Sequence, residues 1–156
     1  MHRVQPLQWL KTLNPWVQLD QGFLPQLLPD RFSQDGRAIE ESAFTDNSAV
    51  TSLFRTLDFW NDGSLILMDL PGHAIGHTGY LLNTDQGPIG YVVDAFWDSR
   101  TFDQNRRLPW AARRVQHSLS DYESTQEKLR QFRQMTGIPL SACHCKTTQR
   151  YVLDSN

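Results

Sequence analysis

The segment from residue 57 to residue 94 alternates short apolar stretches with turn-forming residues, and this alternation limits the fold more than any other feature. Asn61-Asp62-Gly63 separates two stretches of strand character and predicts a β-hairpin around residues 57–69. "TGYLLNT" and "GPIGYVVDAF" follow, separated by the turn-like "DQGP", and predict two more strands that pair with each other. The sequence therefore predicts a sheet built from short strands.

One amphipathic helix is predicted to follow the strands, over residues 120–136. Ser120 with Glu123 three residues later forms a capping-box signature, and Gly137 ends the pattern. The apolar side chains of this stretch recur at helical spacing: Tyr122, Leu129, Phe132 and Met135. "IPLSACHC" then predicts a short final strand, so the fold class expected is α/β (α+β).

Composition narrows the kind of partner. Apolar residues make up 39% of the 156 residues and charged residues 21%, which predicts a globular protein. Because "MHRVQPLQWLKTL" lacks the uninterrupted apolar region of a signal peptide, the protein is expected in the cytoplasm. The formal charge of −2 gives no electrostatic reason to expect nucleic acid or anionic membrane as a partner. No apolar run approaches the ~20 residues of a membrane helix. Cys143 and Cys145 are two residues apart, so no disulfide framework is expected.

The candidate chemistry begins with two histidines in "LPGHAIGHTGYLL". His73 and His77 have the i, i+4 spacing of zinc ligands on a helix, but Pro71, Gly72 and Gly76 disfavour a helix here. The stretch is better interpreted as a glycine-rich loop between two strands, where small residues let the backbone approach a ligand closely.

Two further residues extend this set. Asp94 closes the apolar run "GYVVD", and a carboxylate at the end of a core strand needs a compensating partner. His144 ends the apolar run "IPLSACH". Two imidazoles and one carboxylate from His77, Asp94 and His144 would suit Zn²⁺, Fe or Mn if the strand ends converge. By spacing alone, however, isolated histidines are more often hydrogen-bonded structural residues than ligands.

The order of these landmarks resembles a known family. "LPGHAIGHTGYLL" followed by "VVDA", an amphipathic helix and a strand ending in histidine is similar to the C-terminal half of the metallo-β-lactamase superfamily, over residues 57–145. The resemblance implies half of an αβ/βα sandwich, with a mixed or mostly antiparallel sheet and flanking helices. It also implies one or two Zn ions, with His77 binding the first metal, Asp94 bridging and His144 binding the second. His73 would support the ligands through hydrogen bonds.

The stretch after Asp94 is similar to the lactonase-like branch of this superfamily. Some members of that branch place a tyrosine three residues after the aspartate, near the substrate carbonyl, where this chain has Trp97. Tryptophan can stack and donate one N–H but has no phenolic acid-base chemistry. Trp97 is therefore a possible substrate contact that does not by itself imply lactonase activity. His2 and His117 match no ligand position and are expected on the surface.

One part of the family pattern is missing. The superfamily's His-x-His-x-Asp-His signature, which supplies four ligands, does not occur in this sequence. The resemblance thus predicts a single truncated domain over residues 1–156, with an irregular or helical segment over 1–50, and no independently assignable catalytic residue. A lone half would also expose an apolar sheet face. We expect cover from the N-terminal Trp9, Leu10, Leu13 and Trp16, from a second copy of the chain, or from a complementary N-terminal half.

Three functions stay open at this point. The first is a metal-dependent hydrolase of an ester, lactone or amide, incomplete or inactive as a lone chain, with a small-molecule substrate if active. The second is a non-catalytic binding or interaction module. The third is a gene remnant that retains half of the fold.

Overall fold

A five-stranded sheet organises the part of the chain that the computed structural model describes, which comprises residues 13–20, 24–31, 39–46 and 52–153. The strands are β1 (Thr56–Asp58), β2 (Leu65–Asp69), β3 (Thr78–Thr84), β4 (Gly87–Tyr91) and β5 (Leu140–Ser141). The helices are α1 (Pro15–Asp20), α2 (Ser99–Asp103), α3 (Trp110–Arg114), α4 (Leu119–Thr136) and α5 (Lys146–Leu153), with 3₁₀ turns at Pro25–Leu27 and Glu41–Ala43. These elements confirm the mixed α and β fold class.

The strands lie in the order β1-β2-β3-β4-β5, and each pair is antiparallel except β4 with β5, which is parallel. The predicted hairpin is confirmed, since Leu57 pairs with Leu67. Its turn contains Asn61 at φ 58° and Gly63 at φ 76°, residues that tolerate the left-handed region. The pairing of β3 with β4 is confirmed as well. The parallel fifth strand is reached through the long crossover that contains α4.

Strand β4 ends earlier than the apolar run "GPIGYVVDAF" predicts. Pairing stops at Tyr91, and the backbone then turns through Val93 at φ 52°. Such a conformation is uncommon for a β-branched residue. The prediction of strand through Phe96 is wrong because the apolar residues after β4 are buried in a turn that packs on the core, where hydrophobicity does not depend on extended backbone.

Helix α4 confirms the predicted amphipathic helix with two corrections. Its N-cap is Ser118, whose side chain accepts the backbone N–H of Asp121, so the predicted capping box at Ser120 is wrong. Gly137 at φ 71° closes its C-terminus. The buried face consists of Tyr122, Thr125, Leu129 and Phe132. Met135 is 74% exposed and lies off this face.

The hydrophobic core lies between α4 and one face of the sheet. Ile66 and Met68 of β2 belong to the same buried cluster as Leu129 and Phe132 of α4. Phe96 and Phe102 stack with ring centroids 4.3 Å apart and extend this cluster beyond the end of β4. Full burial of side chains of this size contributes about 1.5–3 kcal/mol each, so this packing fixes α4 against the sheet.

The opposite face of the sheet is also apolar, and we call it the second face. Because side chains alternate along a strand, residues paired across strands share a face. The registers Leu57–Leu67–Tyr80–Tyr91 and Leu65–Leu82–Ile89 therefore place seven apolar or aromatic side chains together. Leu67 and Ile89 are buried, whereas the other five are half-buried. None of the seven belongs to the described core cluster under α4.

The described parts of the N-terminal segment contain one short helix and two 3₁₀ turns. Helix α1 and two 3₁₀ turns agree with an irregular or helical segment over residues 1–50. Trp16, predicted to cover an apolar face, is 79% exposed, so that prediction is wrong for this residue. Leu13 is half-buried, whereas Trp9 and Leu10 lie outside the described residues. Among the described helices, none has the length and hydropathy that crossing a membrane requires.

Candidate metal centre

The histidine loop between β2 and β3 is held against the start of α4. The backbone N–H of Ser118 donates to the carbonyl of Gly72 at 2.9 Å, and the Thr125 hydroxyl donates to the carbonyl of Pro71 at 2.7 Å. Gly72 has φ 128°, and a Cβ at this position would overlap the backbone of Tyr122. Glycine is therefore required for the close approach of loop and helix. The interpretation of this stretch as a strand-connecting loop is confirmed.

His77 closes this loop and faces the end of β4. Its Nδ1 lies 2.8 Å from the Leu70 carbonyl oxygen, while its Nε2 lies 3.3 Å from the backbone nitrogen of Asp94. These partners assign the proton to Nδ1 and leave Nε2 to accept the Asp94 N–H, so a metal bound at Nε2 would displace that hydrogen bond. Burial lowers the pKa of His77, which favours the neutral imidazole.

His73 lies beside the Asp94 carboxylate. Its Nδ1 is 3.0 Å from the amide oxygen of Gln116, and its Nε2 is 3.7 Å from Oδ2 of Asp94. Gln116 is buried and in turn donates to the Ala112 carbonyl. The contacts orient the His73 ring toward Asp94, in the supporting position that the resemblance predicts. That role stays a prediction.

The Asp94 carboxylate contacts three other side chains of the site, those of His73, Cys143 and His144. The Asp94 side chain is 20% exposed and has both of its oxygens within 4 Å of an imidazole nitrogen. Oδ1 lies 3.3 Å from Nε2 of His144 and accepts a hydrogen bond from the Cys143 thiol at 3.2 Å. The expectation that a carboxylate at this strand end needs partners is confirmed. The turn at Val93 directs the side chain there, and the Cys143 N–H donates to the Val93 carbonyl at 2.8 Å.

Cys143 and His144 lie in the turn between β5 and α5. The Thr148 hydroxyl accepts the N–H of Ala142, and the side-chain amide of Gln149 donates to the Cys143 carbonyl. Helix α5 thus holds the turn in place. His144 is 66% exposed, whereas burial and the Asp94 carboxylate raise the pKa of the Cys143 thiol to about 11.

The structure brings together a set that differs in one member from the predicted ligands. Within the described ranges, the potential metal-binding atoms that lie within 4.8 Å of one another belong to Asp94, Cys143 and His144. His77 contacts the main chain of Asp94 rather than this set. Oxygen, sulfur and nitrogen donors in one cluster suit Zn²⁺. Cys143 was missed because neighbouring residues of a strand point to opposite faces, and its only signal in the sequence was its position beside His144.

The remaining predicted residues lie around this cluster. The Trp97 ring meets the His73 ring edge-on at 6.4 Å, and its buried Nε1 has no hydrogen-bond partner in the described part of the chain. Trp97 is thus next to the site, and its contact with a substrate stays a prediction. His117 is exposed, as expected, although its backbone N–H donates to His73. His2 lies outside the described residues.

Comparison with curated proteins finds relatives over part of the chain. The γ-lactamase FDB1 of Fusarium pseudograminearum is 36% identical over 59 residues, which are 37% of this chain and 14% of that protein. The metallo-hydrolase mfmC of Annulohypoxylon moriforme is 40% identical over 58 residues, which are 37% of this chain and 15% of that protein. The chain thus spans a small fraction of these relatives. No protein-family profile matches the chain.

Solved structures agree on the fold. An N-acyl homoserine lactone hydrolase, solved with its product at the catalytic metal centre, matches with a TM-score of 0.50 and 15% identity. The match covers 62% of this chain and 36% of that protein. The curated relatives and this shared fold confirm the resemblance: the chain is similar in sequence and fold to the lactonase-like branch of the metallo-β-lactamase superfamily.

Proposed function

We propose that this chain provides part of the metal centre of a hydrolase that acts on an ester, lactone or amide, with His77, Asp94 and His144 as metal ligands. The observation that carries the proposal is the contact of Asp94 Oδ1 with His144 Nε2 at 3.3 Å, at the strand end that His77 also meets. The γ-lactamase and lactone hydrolase names of the similar proteins support cyclic amides and lactones as the substrate class.

In the proposed hydrolase, side chains of this chain would bind the metal and keep its ligands in position. A divalent metal, when bound, supplies Lewis-acid polarisation of the carbonyl and a water nucleophile at neutral pH. Asp94 and His144 offer an anionic and a neutral donor to it, and His73 lies beside the carboxylate, with its Nε2 3.7 Å from Oδ2. The Trp97 ring packs edge-on against His73 and would help to hold that imidazole in position.

We further propose that the chain alone is an incomplete catalyst. Its five histidines include no His-x-His-x-Asp-His sequence, so the four ligands of that signature would have to come from elsewhere. Without them fewer groups fix the metal and orient the attacking water. The lone chain would then bind metal as a non-catalytic module, and it gains hydrolase activity only when a complementary segment supplies those ligands.

Metal content of the purified chain tests the first part of this proposal. We expect zinc in the native protein by elemental analysis, its loss in His144→Ala and a lower zinc content in His77→Ala, whereas His117→Ala, which removes an exposed histidine outside the site, keeps the full content. A native protein that is free of metal after exposure to zinc, with unchanged stability, would show that no site exists and would leave the remnant hypothesis.

Activity of the same samples tests the second part. We expect no hydrolysis of a γ-lactam or an N-acyl homoserine lactone above the rate in buffer with zinc. Turnover by the lone chain that a chelator abolishes, and that His144→Ala lacks, would contradict the proposed incompleteness while supporting a hydrolase site.

The second face supports a proposal about partners. Half-buried Leu65, Tyr80, Leu82 and Tyr91 lie on the same face as the buried Leu67 and Ile89, and we propose that the exposed parts of these four side chains contact another sheet. In a sample of the pure chain, the second face would pack against the same face of a second copy. In a complete enzyme, a complementary N-terminal half would cover it instead.

Size-exclusion chromatography with light scattering tests this contact. We expect a dimer for the native chain and a shift toward monomer for Leu82→Lys, because the new charge would be desolvated at the interface. Met135→Lys changes an exposed residue of α4 and should leave the mass unchanged. A native chain that is monomeric at every concentration measured would contradict the proposal.

A further inference from the structure

We infer that Cys143 is a metal ligand, and that Asp94, Cys143 and His144 form one thiolate-containing zinc site. The inference rests on the proposed function, since it uses two of the same residues, and it adds a sulfur donor that the family resemblance does not assign. It also changes the expected selectivity of the centre from hard or borderline metals toward thiophilic ones.

The distances already approach those of a tetrahedral site. Zinc bonds of about 2.0–2.3 Å to oxygen, nitrogen and sulfur place neighbouring ligand atoms about 3.3–3.8 Å apart in a tetrahedron. Asp94 Oδ1 lies 3.2 Å from the sulfur of Cys143 and 3.3 Å from Nε2 of His144. The remaining separation, between sulfur and imidazole nitrogen, is within 4.8 Å. The exposed His144 side chain can rotate to close the third edge.

The backbone holds two of the three ligands in position before any metal is bound. The Cys143 N–H donates to the Val93 carbonyl, which links the residue before Asp94 directly to the β5–α5 turn. Gln149 anchors the same turn by donating to the Cys143 carbonyl. Metal binding would replace the hydrogen bond from the thiol to Asp94, and the thiol proton would pass to solvent.

Exposure and charge favour a zinc centre with one free position. His144 is 66% exposed, so a metal can enter from solvent, and three protein ligands leave the fourth tetrahedral position for water or substrate. One carboxylate and one thiolate neutralise the two charges of Zn²⁺. Thiolate disfavours Mg²⁺ and Mn²⁺ relative to Zn²⁺. His77 keeps its hydrogen bond to the Asp94 main chain in this arrangement and is not required for it.

Cobalt spectroscopy of the full chain tests the sulfur ligand directly. Metal-free protein titrated with Co²⁺ is expected to show a sulfur-to-cobalt charge-transfer band in the near ultraviolet. Cys143→Ser should abolish this band and weaken Zn²⁺ binding roughly 100-fold, which is one ligand's share of the binding free energy of a zinc site. His77→Gln should keep the band. Cys145→Ser should also keep it, because the Cys145 sulfur accepts the Ser99 N–H and lies outside the cluster.

A second measurement needs no variant and covers the case in which a cysteine variant fails to fold. Alkylation of the native chain, mapped by peptide mass spectrometry, should be slowed by Zn²⁺ at Cys143, whereas Mg²⁺ gives no protection. Cobalt binding without the charge-transfer band, with equal alkylation of Cys143 in both metals, would overturn the inference and leave the proposed function standing. Absence of any metal binding would overturn both.

Discussion

Replacement of Gly72 by alanine is expected to destabilise the chain by roughly 4 kcal/mol, the combined cost of a strained backbone and of overpacking. The new Cβ would overlap backbone atoms of Tyr122, which cannot move without displacing α4. Loop and helix would separate, and the hydrogen bond from Ser118 to Gly72 would be lost. Because the same loop carries His73 and His77, metal binding should weaken together with stability. Urea unfolding monitored by circular dichroism measures the loss.

Gly87→Ala is the matched control for this substitution. Gly87 has φ 111°, so alanine is strained there too, but nothing lies within 4 Å of the position its Cβ would take. The control should cost only about 1–2 kcal/mol, the backbone part of the effect. Equal losses for the two variants would mean that the close approach to Tyr122 does not matter for stability.

Asp94→Asn is expected to cause the largest loss of metal binding, about 100-fold or more. Asp94 belongs both to the ligand set that the sequence predicts and to the cluster with Cys143, so the result does not depend on which set binds. The asparagine keeps the size of the side chain and removes the anionic donor. Isothermal titration with Zn²⁺ measures the change, and Asp85→Asn, in the exposed turn between β3 and β4, is the control.

The same variant should change the thiol in the absence of metal. Burial and the hydrogen bond and charge of Asp94 raise the pKa of Cys143 to about 11, because each disfavours the thiolate. Without the carboxylate, the pKa should fall, while burial still keeps it above the usual value. Thiolate absorbance followed against pH in metal-free protein would reveal this shift, and an unchanged titration would contradict the contact between Cys143 and Asp94.

Local sequence signals predicted those turns and helix ends whose backbone conformation depends on one or two residues. Asn61 and Gly63 tolerate positive φ and thus specify the hairpin, and Gly137 specifies the end of α4. The start of α4 was misplaced because serines at 118 and 120 can both cap a helix, and the choice depends on the loop that Ser118 contacts. Periodicity also cannot show that Met135, in the last turn, is exposed rather than part of the buried face.

The site was predictable in part because strand ends converge at one edge of a sheet. Asp94 and His144 meet there as expected, and His77 reaches the main chain of Asp94. The position of Cys143 follows from the end of β5 at Ser141. Beyond that point the chain turns, so the adjacent side chains of Cys143 and His144 can both approach the Asp94 carboxylate. Nothing in a linear pattern specifies that turn, since it is held by Thr148 and Gln149 of the following helix.

The turn at Val93 lowers the stability of the fold but positions the Asp94 side chain. A β-branched residue in the left-handed region costs about 1–2 kcal/mol, yet the carbonyl of Val93 and the flanking amides are all hydrogen-bonded in this conformation. Glycine at this position would relieve the strain and also free the backbone that aims Asp94. Selection for a more stable protein would therefore favour losing this valine, whereas selection for a preorganised metal centre would favour keeping it.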